Sequence, residues 1–229
     1  MEKGKFIVIE GSDGSGKTTQ FKKLVARLRN ANKKVVTIHF PQHGKPSAYF
    51  VDRYLNGEYG NLKETGPYTT SLFYALDRFD FAPKLRQWIK EGKIVVADRY
   101  MSSNMGHQGA KIANRKERIT LYKWLYHLEY GILGIPKPDI TAVLGVPAPI
   151  AFFLIGQKKD SRIYIKKGKR DLHEASLSYL RLSERAYLDM IKTFPKDFRL
   201  IECAKRGRLL SIEEIHEKVW KEVYAMVKR

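Results

Sequence analysis

The sequence predicts an α/β fold with a five-stranded parallel sheet flanked by helices, on three observations. Strand-like runs alternate along the chain with helix-length amphipathic segments. Several of the runs are almost continuously apolar, as strands covered on both faces must be. A glycine-rich turn separates the first of them from the first helical segment.

In chain order, Lys5-Phe6-Ile7-Val8-Ile9-Glu10 reads as the first strand, and the helix after the glycine turn runs to about Arg29. Lys34-Val35-Val36-Thr37-Ile38-His39 reads as the second strand. Helical segments follow at about 47–56 and 67–91, and Pro83 is expected to bend or split the longer one, because proline lacks the N–H and clashes with the preceding turn. Ile94-Val95-Val96-Ala97 is the third strand, 118–133 a helical segment, and Ile140-Thr141-Ala142-Val143-Leu144 the fourth strand. A helical segment at 173–193 leads to the last strand, Phe198-Arg199-Leu200-Ile201. The closing helix, 211–227, opens on Ser211 and Glu214 at the spacing of a capping box. Segment 157–170 stands apart, with seven basic residues, one acid and no apolar period. It reads as an exposed, mobile basic lid reaching to about residue 172.

The chain length of 229 residues suggests one domain, 1–229. Hydrophobic residues make up 43% and charged residues 29%, both ordinary for a globular chain, so no disulfide or metal staple is needed. No run of eighteen apolar residues exists and no secretion signal opens the chain. The one cysteine, Cys203, cannot form an internal disulfide or a cysteine-rich zinc site. These features point to the cytoplasm and away from a membrane partner. The net charge of +19 attracts polyanions without choosing among them. It raises a rival reading, a nucleic-acid-stimulated ATPase, but the sequence shows no helix-turn-helix or comparable recognition element, so nucleic acid is not the expected partner.

Gly11-Ser12-Asp13-Gly14-Ser15-Gly16-Lys17-Thr18 matches G-x-x-x-x-G-K-[ST] between a buried strand and a helix. Glycines there let successive N–H groups turn inward onto phosphate oxygens, aided by the helix N-terminus. Lys17 is placed for the β- and γ-phosphates and Thr18 for Mg²⁺, so ATP with Mg²⁺ is the expected cofactor pair, held by residues 11 to 18 and by Thr19. The third strand ends in Asp98-Arg99-Tyr100, at the edge of a sheet where α/β proteins bind ligands. Asp98 suits the outer shell of Mg²⁺, and Arg99 offers a planar fork to a phosphate. Tyr74 and Arg78, four apart, share one face of a helix, so the ring can stack on a base beside the guanidinium.

Taken together, the chain resembles the thymidylate kinase family of P-loop NTPase fold. The resemblance is carried by Glu10 to Thr19, Phe40-Pro41, the run Tyr54 to Gly60, Phe73 to Arg78, Asp98-Arg99-Tyr100, Ser102-Ser103-Asn104, Gln108 to Lys111, Ile135 to Asp139 and Asp171 to Glu174. It implies transfer of the γ-phosphoryl of ATP to dTMP, giving dTDP and ADP, and a homodimer for which 67–91 and 118–133 are the candidate interface. It places Phe40, Pro41, Tyr74, Arg78 and Arg99 at the dTMP site, with Ser103, Asn104 and Gln108 on the base and Asp13 near the sugar. The Gln108 amide matches the O4 acceptor and N3–H donor of thymine. Glu10 either orients a Mg²⁺-bound water or simply ends its strand. Some members carry an arginine in the phosphate loop where this chain has Gly14. The resemblance therefore implies that catalysis by Lys17, Asp13 and Arg99 is completed by a lid cation, one of Arg162, Lys166, Lys167, Lys169 and Arg170. Two departures stand out: Gln42-His43 follows Phe40-Pro41 where a basic phosphate contact is common, and Gly145 replaces a frequent aspartate.

Overall fold

The computed structural model describes residues 3–60, 64–157 and 176–228. Its main sheet holds β1 (Lys5–Gly11), β2 (Val35–His39), β3 (Ile94–Asp98), β4 (Ile140–Gly145) and β5 (Phe198–Glu202) in the order β2-β3-β1-β4-β5, every pairing parallel. The central β1 shows why the apolar runs are continuous. Ile7 and Ile9 point into one layer, with α1 (Lys17–Asn30) and α8 (Ile212–Val227). Phe6 and Val8 point into the other, with α3 (Pro67–Lys90), α4 (Met101–Gly109), α5 (Arg115–Tyr126) and α7 (Leu177–Thr193). All four side chains are fully buried, each stabilising the fold by about 1.5–3 kcal/mol.

Ser211 and Glu214 form the expected reciprocal cap, the Glu214 N–H donating to Ser211 Oγ at 3.1 Å and the Ser211 N–H to Glu214 Oε2 at 2.8 Å. Other boundaries differ from the sequence reading. Helix α3 continues through Pro83 as one element, its flanking residues Ala82 and Leu85 both buried in the core. The segment read as 118–133 begins earlier, where the Asn114 side chain caps α5, and changes after Tyr126 into a π-helical turn, His127–Ile132. Segment 47–56 is a 3₁₀ turn, Pro46–Ala48, leading into α2 (Tyr49–Leu55).

Three elements were not foreseen: α4, α6 (Ala148–Gly156), and a hairpin of β6 (Ala204–Lys205) and β7 (Arg208–Leu209). Helix α4 is poor in helix-favouring residues, but its glycines let neighbours in. A Cβ on Gly106 would lie 2.4 Å from the Tyr187 ring, and one on Gly109 2.5 Å from the Tyr122 hydroxyl. No helix among the described residues is long and apolar enough to cross a membrane.

Candidate active site

The turn after β1 is built on positive φ at Gly11, Gly14 and Gly16 (146°, 79° and 81°). Gly14 has a second constraint: a Cβ there would sit 2.3 Å from the carbonyl oxygen of Ala151 in α6. Both packing and backbone geometry therefore oppose an arginine here, which would be strained and would force α6 to shift. Lys17, at the start of α1, is buried and folds back onto the loop, donating from Nζ to the carbonyls of Gly11 (2.8 Å) and Ser12 (2.7 Å). Its Nζ lies 3.7 Å from Asp13. Burial and the charge of Arg99 push Lys17 down to about 8, against the pull of Asp13, Glu10 and Asp98. Thr18 and Thr19 stay exposed on the first turn of α1.

Asp98, at the end of β3, presents one carboxylate oxygen to His39 Nδ1 at 3.4 Å. Its other oxygen, Oδ1, is buried without a hydrogen-bond partner. Burial pushes this carboxyl up, but the His39 contact and the charges of Arg99 and Lys17 outweigh it and hold Asp98 below the ordinary carboxylate range. An ionised, unpartnered oxygen and the exposed Thr18 hydroxyl fit Mg²⁺, which keeps several waters and leans on substrate phosphates. No group of three or more His, Cys, Asp or Glu side chains that could hold a metal ion exists among the described residues.

Arg99 sits in left-handed backbone conformation, with φ 67°. It is held by Asp13, which accepts from Nη2, and by Ser103 Oγ and His107 Nε2, each 3.2 Å from Nη1. These contacts use three of the five guanidinium N–H donors and leave two for a phosphate. Glu10 lies beneath. It is fully buried, and its carboxylate accepts from the Gly11 N–H (2.9 Å), Ser102 Oγ (2.9 Å), Ser103 Oγ (2.9 Å) and Tyr187 Oη (3.0 Å). It therefore neither merely ends the strand nor stands free for a metal-bound water. It joins β1 and the phosphate loop to α4 and α7.

Beside Arg99 opens a cavity that collects most of the sequence-predicted substrate residues: Asp13, Phe40, Pro41, Tyr74, Arg78, Arg99, Ser103, Asn104 and Gln108. Three of them sit otherwise than expected. Arg78 is buried and spends Nε and Nη2 on Glu129, at 2.7 and 2.5 Å, so it offers a single remaining nitrogen rather than a whole fork. Ser103 has its hydroxyl committed to Glu10 and Arg99 rather than held for a base. Asn104 donates Nδ2 to the Ser71 carbonyl at 3.1 Å, and only its Oδ1 is unpartnered. Gln108 is the opposite case: fully buried, with neither Oε1 nor Nε2 hydrogen-bonded. Leaving such groups unpaired costs about 1–3 kcal/mol each, so the geometry suits a ligand that supplies one donor and one acceptor.

The reading of the sequence overlooked Glu129, His107 and the pairing of His43 with Asp52, whose Nδ1 and Oδ1 lie 2.5 Å apart. His43 and His107 line the same cavity. It also overlooked Asp77, whose carboxylate accepts from the Gln42 N–H (2.9 Å) and Ser47 Oγ (2.7 Å), fixing the Phe40-Pro41 turn to α3. Glu129 and Asp77 work through partners 51 and 35 positions away, which no local pattern reveals, whereas His43 with Asp52 and His107 with Arg99 are only nine and eight apart and carry no recognised spacing. Arg162, Lys166, Lys167, Lys169 and Arg170, the candidate lid cations, lie outside the described residues.

A phosphate loop on the central strand, a strand-end carboxylate and a second, arginine-bearing cavity define a P-loop enzyme built to bring two phosphorylated ligands together. The family model described as thymidylate kinase matches residues 9–219. A thymidylate kinase of Mycobacterium tuberculosis is 30% identical over 186 residues, covering 80% of this chain and 84% of that protein. One from Prochlorococcus marinus is 34% identical over 213 residues, covering 89% and 95%. The solved thymidylate kinase of Candida albicans has the same fold, with a TM-score of 0.73 at 20% identity over 99% of this chain and 93% of that one. The chain belongs to the thymidylate kinase family.

Proposed function

We propose that the chain transfers the γ-phosphoryl group of ATP to dTMP, with Mg²⁺, giving dTDP and ADP. The observation that carries the acceptor assignment is Gln108: a buried amide with both polar atoms unpartnered, in a cavity shared with Tyr74 and Arg99. Its carbonyl suits thymine N3–H and its amide suits O4, while the Tyr74 ring supplies a stacking face. Arg99 holds the acceptor phosphate with its remaining donors and Arg78 assists. An oxygen of that phosphate attacks the γ-phosphorus in line as the bond to the β,γ-bridging oxygen breaks, so no covalent enzyme intermediate and no strong base is required. Lys17 exchanges its loop carbonyls for the donor phosphates, and Asp13 keeps Arg99 oriented beside the sugar. Thr18 and, by way of water, Asp98 would hold Mg²⁺, which would supply charge neutralisation on the donor phosphates.

The transition-state cation is assigned to the basic segment at 157–172. Glycine at position 14, packed against Ala151 of α6, supports this, because the phosphate loop as it stands carries no arginine. A cytoplasmic, single-domain homodimer completes the reading. Tyr68, Leu72, Leu76 and Phe79 form an exposed apolar stripe along α3 that supports the dimer, and the unpaired thiol of Cys203 supports the compartment.

The test is a coupled assay over dTMP, dUMP, dCMP, dGMP and thymidine with ATP as donor. The expected result is turnover greatest with dTMP, weaker with dUMP and absent with thymidine. Comparable use of dCMP, or ATP hydrolysis stimulated by DNA without transfer, would overturn the proposal.

A further inference from the structure

Arg99 occupies a left-handed backbone conformation that is unfavourable for a bulky residue, so its surroundings must hold it there. Asp13 and Ser103 do so by ordinary acceptor chemistry. His107 is different, because an imidazole can act in either sense. Its Nε2 lies 3.2 Å from Arg99 Nη1, and its Nδ1 lies 3.1 Å from the Tyr179 hydroxyl. The ring stacks on Tyr179 at 15° and meets Tyr187 edge-on at 80°, so two rings of α7 fix its plane. A guanidinium can only donate, so Nε2 must accept and carry no proton. The one ring proton then sits on Nδ1 and is donated to Tyr179, whose own hydroxyl hydrogen points to the His107 carbonyl at 3.4 Å. Donors run in one direction, from Arg99 to His107 to Tyr179.

We propose that His107 is a positioning residue for Arg99, that it acts only as the neutral Nδ1–H tautomer, and that its protonation releases Arg99 and weakens the monophosphate site. Once Nε2 carries a proton, two donors and two positive charges face each other across the contact that now aims the guanidinium. Among the described residues, the ionisable groups facing the ring are Arg99 from the end of β3 and Tyr179 and Tyr187 from α7. Asp13 and Glu10 lie behind Arg99 and Tyr187, and Arg78 and His43 line the same cavity. An imidazole is the side chain whose ordinary charge change falls between about pH 5 and 8. The proposal rests on the reading of Arg99 as the acceptor-phosphate ligand.

The experiment is steady-state kinetics of the whole enzyme with dTMP and ATP between pH 6 and 8.5, for wild type, His107→Ala and His107→Gln. At pH 8, His107→Ala should raise KM for dTMP about tenfold, with kcat and KM for ATP changing less than about twofold. His107→Gln should recover most of that loss, because its amide accepts from Arg99 and donates to Tyr179 without titrating. A nucleoside monophosphate takes up its own second proton near pH 6, so the informative quantity is the wild-type to His107→Gln ratio of KM for dTMP. That ratio should rise about tenfold from pH 8 to pH 6. Parallel profiles of the two proteins would overturn the proposal. So would a wild-type KM that falls relative to His107→Gln on acidification, the mark of a protonated ring binding phosphate directly. Imidazole ¹⁵N NMR of wild type gives a second readout that needs no variant: Nδ1–H at pH 8 is expected, and Nε2–H would refute the scheme. Arg99→Ala separates the failures. If that variant spares dTMP use, the role of Arg99 is wrong; if it impairs dTMP use while the His107 profiles stay parallel, only the present inference fails.

Discussion

Removing Glu129 should strand a charge in the core. The Arg78 and Glu129 side chains are 2% and 0% exposed, joined by two hydrogen bonds of 2.7 and 2.5 Å. The Arg78 guanidinium stays protonated because, although burial opposes its charge, the attraction of Glu129 and its hydrogen bonds prevail. Glu129→Ala leaves that cation in place with the face of the Tyr100 ring, 5.8 Å from Arg78 Cζ, as its nearest compensation. Breaking a buried pair by deleting one partner costs about 3–5 kcal/mol, a large share of the roughly 5–15 kcal/mol that holds a domain together. At about 2–4 °C per kcal/mol for a chain of this size, the melting temperature should fall by roughly 6–20 °C. Replacing both partners, as Arg78→Met with Glu129→Leu, should recover most of the loss, since an apolar pair has no charge to desolvate. The assay is urea unfolding of the wild type, both single variants and the double variant, with calorimetry alongside. A loss below about 1 kcal/mol in Glu129→Ala with an unchanged m-value would refute the reasoning. It would mean that the guanidinium swings into the cavity and finds water there.

Further outcomes follow for Lys17, Arg99, Gln108 and the basic segment. Lys17→Ala should abolish phosphoryl transfer while leaving the protein folded. The folded lysine has its pKa near 8 against 10.5 unfolded, so the unfolded chain binds more protons between those values, and nucleotide-free wild type should gain up to roughly 3 kcal/mol as pH rises from 8 to 10.5. Denaturation of Lys17→Met at both pH values checks this, since that variant should lack the gain. Arg99→Ala should raise KM for dTMP at least about tenfold and leave ATP binding near normal, measured by calorimetry with a non-hydrolysable ATP analogue. Gln108→Leu should trade function for stability: two unpaired buried groups vanish, so the free protein should be as stable or up to about 2 kcal/mol more so, while kcat/KM for dTMP falls about 10- to 100-fold. Among alanine variants of Arg162, Lys166, Lys167, Lys169 and Arg170, one or two should lose about a hundredfold in kcat under saturating substrates, and five near-normal enzymes would place the catalytic cation elsewhere.

The sheet was legible because parallel strands with helices on both faces must be apolar at every position, and Phe6 to Ile9 satisfy that without reference to any partner. The phosphate loop was legible because its residues act within one turn of chain. Helix α4 was not. Its glycines read as breakers, and their use emerges only when Tyr187 and Tyr122 are brought against them. At Pro83 local chemistry forecast a bend or a split, and the helix is not split there, with Ala82 and Leu85 buried in the core. The cavity beside Arg99 gathers residues that the sequence pointed to, but the partners they engage were hidden. Nothing near Arg78 announces a carboxylate 51 positions away, seated in a π-helical turn that the apolar pattern of 118–133 conceals. Ser103 likewise looks like a ligand-binding hydroxyl until Glu10 is seen to claim it.

Glu10 also acts as a ruler between the two halves of the reaction. One of its oxygens accepts from the first N–H of the donor loop and from a tyrosine of α7, while both receive hydroxyls of the helix that carries the acceptor groups. Transfer between two phosphates tolerates little error, and a misplacement of about 1 Å can cost a hundredfold in rate. That separation is referred to a single buried carboxylate whose partners are all groups of the chain itself. The donor and acceptor sides therefore cannot be re-engineered as independent modules. On the proposed assignment, a redesigned nucleobase pocket has to keep Ser102, Ser103 and Tyr187 at their present reach from residue 10, and the freedom to alter specificity lies farther along α4 and α3, around Tyr74, Asn104 and Gln108.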